Sequence, residues 1–87
     1  MRYRTEPLCK VAAALLADPD GHHYGYDLTR RAHVRSGVVY PMLDRMLTDG
    51  WLVDGWENQW DGTQKRPPRR YYSLTANGRK ALSALVE

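Results

Sequence analysis

Between residues 36 and 50 the apolar positions Val39, Leu43, Met46 and Leu47 recur at spacings of four, three and one, while Tyr40, Pro41, Asp44, Arg45 and Thr48 fall on other faces. That is the helical period, and it predicts an amphipathic recognition-type helix over about 36–49 whose single apolar stripe must be buried. Ser36 can cap its start and Gly50 can close its end. Pro41 lies deeper than a first-turn proline should, because its ring removes a backbone donor and crowds the carbonyl of Gly37, so an irregular first turn is expected. The first N–H groups of a helix have no intrahelical acceptor, and a phosphate can serve as one.

The same reading places the other elements. Leu8, Val11, Ala12, Leu15 and Leu16 predict helix one over about 6–17, with Pro7 suited to its first turn. Asp18-Pro19-Asp20-Gly21 is a turn by composition, and His22-His23-Tyr24 reads as a very short strand. Tyr26, Leu28, Ala32 and Val34 predict helix two over about 25–33, with Arg30 and Arg31 near its end, where positive charge complements the helix dipole. After Gly50 the pattern turns to strand formers over Trp51–Glu57, and again over Arg70–Leu74. The polar, turn-rich stretch between them makes the pair a hairpin with a long tip, a wing spanning about 51–74. Thr75 can cap a last helix over about 76–86, striped by Ala81, Leu82 and Leu85, with Asn77 and Gly78 weakening its first turn.

Two short helices joined by two or three residues make a helix-turn-helix, and helix one supplies the third wall of its core. The predicted fold is therefore α+β: a winged helix-turn-helix with a three-helix core, a β-hairpin wing and a short C-terminal helix, one domain over 1–87. At 87 residues the chain holds one core at most. It has neither a membrane-length apolar run nor the apolar core of a signal peptide, so a cytoplasmic protein is expected.

Charge sharpens this picture through its distribution. The net charge of +3 divides into +2 over 1–35, −3 over 36–60, +3 over 61–70 and +1 over 71–87. Lys65, Arg66, Arg69 and Arg70 thus gather positive charge in the wing, which points to a polyanion met at one place. The winged plan puts the helix start in a DNA major groove and the hairpin on phosphates or in the minor groove. The expected DNA-facing set is Ser36, Gly37, Val38, Tyr40, Pro41 and Arg45 on the recognition helix, Tyr24, Tyr26 and Arg35 around helix two, and Lys65, Arg66, Arg69 and Arg70 on the wing. Ser36 and Tyr40 can donate to phosphate or bases, Arg45 can reach phosphate, and Val38 can pack on a thymine methyl group.

Other chemistry is poorly represented. The single cysteine, Cys9, stands among apolar neighbours and reads as core, with no partner for a disulfide. His22 and His23 are adjacent, so their side chains diverge on any regular element, and no ligand spacing beside them suggests a metal. Trp51, Trp56 and Trp60 read first as core and hairpin packing, with Trp60, nearest the tip, the best functional candidate. Of Tyr71 and Tyr72 one should be core and the other exposed. A nucleophile with its base, a phosphate loop and a metal set are all missing, so neither an enzyme nor a cofactor is expected.

Gly25-Tyr26-Asp27-Leu28, the run from Ser36 to Leu47 with its Tyr-Pro-x-Leu-x-Arg core, and Gly50-Trp51-Leu52 resemble the DNA-binding domain of PadR-type transcriptional regulators. Arg69-Arg70-Tyr71-Tyr72-Ser73-Leu74-Thr75 followed by Gly78-Arg79 is similar to that family's second wing strand and last helix, so the resemblance covers roughly residues 8 to 85. It implies a sequence-specific repressor of double-stranded DNA targets, usually a homodimer and sometimes relieved by a small aromatic effector. Val38 departs from a frequent threonine and Arg35 from a frequent serine-type cap. The family usually continues into a long C-terminal dimerisation segment, whereas this chain stops at Glu87, leaving helix one and the last helix as the expected surfaces of any self-association. The competing functions are a winged-helix protein-interaction adaptor, which has no need of a basic wing, and a small DNA-binding accessory factor for recombination or excision.

Overall fold

The first helix, α1 (Glu6–Leu16), begins where the Thr5 hydroxyl accepts from the Leu8 N–H at 3.3 Å, and it carries Pro7 in its first turn. Leu8, Val11, Ala12 and Leu15 form its buried stripe. Cys9, expected in the core, is only half-buried, because it lies one position off that stripe. The computed structural model describes residues 5–57 and 68–86.

Helix α2 (Gly25–Ala32) buries Gly25, Leu28 and Ala32. It stops at His33, which takes the left-handed conformation (φ 56°) while its N–H donates to the Thr29 carbonyl. A non-glycine residue there is strained, and the cap it completes turns the chain within three residues into α3 (Ser36–Thr48). Val39, Leu43 and Met46 of α3 are buried. Ser36, expected as the cap, is instead the first helical residue. Arg35 holds the cap position, its carbonyl accepting from the N–H groups of Val38 (2.9 Å) and Val39 (3.0 Å) with no side-chain cap. The irregular first turn is not found either: α3 runs unbroken with Pro41 inside it. The residue crowded by the proline ring is Gly37, whose missing side chain leaves open space at the helix surface.

Gly50, at φ +76°, ends α3 with its N–H on the Leu47 carbonyl, and the Trp51 N–H bonds back to Met46 at 2.8 Å. Strands β1 (Leu52–Trp56) and β2 (Arg70–Leu74) then pair antiparallel, Leu52 opposite Leu74 and Trp56 opposite Arg70. His23 adds a bridge on the other side of β2, exchanging both backbone bonds with Tyr72 at 2.8 and 2.7 Å. The hairpin is thereby fastened to the segment that leads into α2.

Thr75 joins three elements. Its hydroxyl donates to the Gly50 carbonyl at 2.6 Å and accepts from the Gly78 N–H at 3.0 Å, capping α4 (Ala76–Val86), while its N–H reaches the Trp51 carbonyl at 3.1 Å. Gly78 is buried, and a Cβ there would overlap the Trp51 backbone, so the glycine that weakens the helix by propensity is what lets it approach. Leu82 of α4 joins Leu8, Val11, Leu15, Leu28, Val39, Leu43, Met46, Leu52 and Tyr72 in one core. Helices α1 and α4 pack on each other within the chain. Trp51 packs against the core, but Trp56, expected to pack as well, is 67% exposed, because it lies beyond the last core residue on its face of the hairpin.

Candidate nucleic-acid interface

A groove of about 360 Å³ runs between the start of α2, the side of α3 and strand β2. Five of the residues expected to face DNA line it: Tyr24, Tyr26, Tyr40, Arg69 and Arg70. Tyr40 is 43% exposed, and its ring lies directly over Gly25, where any Cβ would collide with it. The Gly-Tyr start of α2 is thus a seat for Tyr40.

At 100° per residue, the buried positions Val39, Leu43 and Met46 put Gly37, Pro41, Asp44, Arg45 and Thr48 on the outward face of α3. All five are exposed, as are Arg35 and Ser36 at its start. Tyr40 lies on the flank toward the groove and Val38, half-buried, on the opposite flank. Arg45, about two and a half turns into the helix, is turned toward its C-terminal end by the Asp49 carboxylate at 3.3 Å. Ser36 and Gly37, both exposed, carry first-turn N–H groups at the positive end of the helix dipole.

The two arginines where strand β2 leaves the connecting loop are each held by a tyrosine ring and a carboxylate. The Arg69 guanidinium stacks on Tyr24 at 3.9 Å from the ring centroid, with one amino group 3.5 Å from Asp27. Tyr24 is fixed in turn, its hydroxyl donating to Glu57 at 2.9 Å, which pushes that phenol above its usual pKa, with desolvation adding to the effect. The Glu57 N–H closes the loop by donating to the Arg69 carbonyl at 2.9 Å. Arg70 places Nε and Nη2 on one oxygen of Asp54 at 2.8 and 2.5 Å, with its charge 5.0 Å from the Tyr72 ring. That hydrogen bond holds Arg70 more firmly protonated than a free guanidinium.

Sequence reasoning found the arginines but missed Asp27, Asp54, Glu57 and the groove-lining Asp44. Asp54 stands 16 residues from its arginine, and only the strand register puts Asp54 opposite Tyr72 and beside Arg70. Lys65, Arg66 and Trp60 lie outside the described residues. The adjacent histidines serve the framework: His22 stacks on Tyr71, rings 3.7 Å apart, and His23 is buried with both ring nitrogens partnered. Tyr72 is the core member of its pair, and Tyr71, half-buried, lies across Gly55 rather than standing free. Among the described residues no helix is long and apolar enough to cross a membrane.

Residues 14–84 match the sequence model of the transcriptional regulator PadR-like family. Among solved structures the chain is similar to a MarR family transcriptional regulator from Silicibacter pomeroyi, at 21% identity and a TM-score of 0.67, over 94% of this chain and 52% of that one. It is similar to a PadR family transcription regulator from Clostridium difficile at 20% identity and a TM-score of 0.67, over 87% of this chain and 80% of that one. A PadR-like transcriptional regulator from Bacillus cereus is similar at 23% identity and a TM-score of 0.64, over 85% and 75% of the two chains. The chain spans about half the length of the MarR family regulator. At these identities the likeness is one of fold, the winged helix. No curated protein sequence matches.

Proposed function

The chain belongs to the transcriptional regulator PadR-like family, and on that premise we propose that it is a sequence-specific repressor that inserts the start of α3 into the major groove of double-stranded DNA. One observation carries the reading: Tyr40 and Asp44 of α3 share one tyrosine-lined groove with Arg69 and Arg70 of the hairpin, and the start of α3 beyond them is exposed. Neutral tyrosines and fixed guanidinium groups suit a phosphate backbone, and Gly37 lets that backbone come close to the first-turn N–H groups. Tyr40 and Asp44, on the groove side of α3, are the side chains best placed to meet base edges, Asp44 as an acceptor for a cytosine amino group. Val38, on the other flank, supplies an apolar contact for a thymine methyl. Lys65 and Arg66 extend the basic charge of the wing beyond Arg69.

Selection of preferred sequences from a randomised duplex pool tests this reading. Wild-type protein is expected to enrich one motif, and Tyr40→Phe, Asp44→Asn and Val38→Ser are each expected to change the preference at one position, by less than the roughly 1–3 kcal/mol of a bidentate side chain–base pair. Identical loss on every sequence would contradict base reading by α3. A folded protein that enriches nothing would favour the adaptor.

A further inference from the structure

The carboxylates paired with the groove arginines pose a problem for any surface that meets a polyanion. Asp27 and Asp54 carry the same sign of charge as DNA, and each is 40% exposed or more, at 47% and 42%. By long-range electrostatics alone they weaken binding. Their geometry argues the other way. Asp54 engages only the Nε–Nη2 edge of Arg70, through one oxygen, and leaves the Nη1 side of the fork uncommitted to it. Asp27 touches one amino group of Arg69, whose flat face is already laid on Tyr24. Both arginines are therefore held in one rotamer by a carboxylate behind and a ring beneath. Tyr24 is in turn anchored by Glu57 and Tyr72 by the His23 bridge.

We propose that Asp27 and Asp54 are positioning residues that hold Arg69 and Arg70 ready for DNA phosphates, so that each negative charge strengthens DNA binding. The proposal rests on the DNA-binding reading above and deepens it. An arginine free in solution must surrender its rotamer freedom when it takes a phosphate, and here that ordering has already occurred during folding. The phosphate docks against the open edge of a guanidinium whose other edge stays on its aspartate, an arrangement a fork with five donors permits and a lysine ammonium does not.

The test is fluorescence anisotropy with a fluorescein-labelled random-sequence 24-base-pair duplex, titrated at several salt concentrations, since phosphate contacts do not depend on sequence. Four proteins are compared with wild type: Asp27→Asn, Asp54→Asn, Asp54→Glu, and Asp20→Asn as a control for the bare change in charge. Asp20 is 94% exposed, is paired with Arg79 of α4 and does not line the groove. Positioning predicts that Asp27→Asn and Asp54→Asn bind roughly two- to tenfold more weakly, the range set by ordering one long side chain. Their slopes of log affinity against log salt should become shallower by up to about 0.9, one phosphate contact. Asp54→Glu should recover part of the loss, and Asp20→Asn should keep the wild-type slope. Circular dichroism confirms that each variant is folded, and Asp54→Glu keeps the comparison informative if an asparagine variant is not. Tighter binding with an unchanged or steeper slope in the asparagine variants would overturn the proposal and leave the DNA-binding reading intact. Wild-type protein that is folded and binds no duplex would overturn both.

Discussion

His23 shows how much one side chain decides in a chain this short. It is 2% exposed, and its partners fix its state: the Asp18 carbonyl at 2.8 Å can only accept, and the Arg31 guanidinium at 2.8 Å can only donate. The imidazole is therefore neutral, with its proton on Nε2. Burial is the main cause of its lowered pKa, and Arg31 adds to it, against the opposing pull of the Asp18 carbonyl. In the unfolded chain the group titrates near its ordinary value of about 6.5. Between that value and the lower folded one, the unfolded state binds more protons, so this contribution to stability is complete above about pH 6.5 and declines as pH falls through the window. A proton-resolved NMR titration is expected to give His23 a midpoint below 6.5, and His23→Gln should show a flatter fall in melting temperature from pH 7 to pH 5. A midpoint at or above 6.5 would contradict the assignment. Gly78 offers a second residue-scale test, because helix propensity and packing predict opposite signs. Alanine there gains about 1 kcal/mol of helix propensity. Its Cβ, however, meets the Trp51 backbone, which has no flexible end to move aside. Gly78→Ala is expected to destabilise by about 2–3 kcal/mol in denaturant unfolding.

Among the elements, α3 departs most from its sequence-level expectation. Its apolar stripe and its end at Gly50 were legible because periodicity and a positive-φ glycine are local signals. The cap was not: Ser36 has the right chemistry, but burial of Val39, Leu43 and Met46 fixes the helix phase, and the backbone of Arg35 takes the cap position. Pro41 was expected to disturb the first turn, yet the helix passes through it. An interior proline costs a helix about 3 kcal/mol, which the buried stripe of α3 overrides. Pro41→Ala is therefore expected to stabilise the protein by about 2 kcal/mol, allowing for the greater freedom of the unfolded chain. Thermal unfolding measures it, and an unchanged or lower midpoint would show that the proline is not strained. The hairpin was legible from its strand formers, whereas its fastening through His23 and Thr75 was not. Those bonds span long stretches of sequence, and no local pattern announces them.

For the molecule as a whole, the charge pattern pointed to a polyanion partner but treated the basic wing as isolated positive charge. Arg69 and Arg70 are each paired, to Asp27 of α2 and Asp54 of the opposite strand. Such pairs depend on the register of β1 with β2 and on where α2 meets the hairpin, so composition could place the arginines in the site but not show what holds them. The structure sets the guanidinium groups of Arg69 and Arg70 in one groove with Tyr24, Tyr26, Tyr40 and Tyr72. Its central claim is tested most directly by anisotropy of labelled DNA from the region upstream of the protein's own gene, against a shuffled duplex, at two salt concentrations. A regulator of its own promoter region is expected to bind the first at least tenfold more tightly, and the second weakly with steep loss at higher salt. Equal affinity for the two duplexes, or none for either from a folded sample, would contradict sequence-specific binding to its own promoter region.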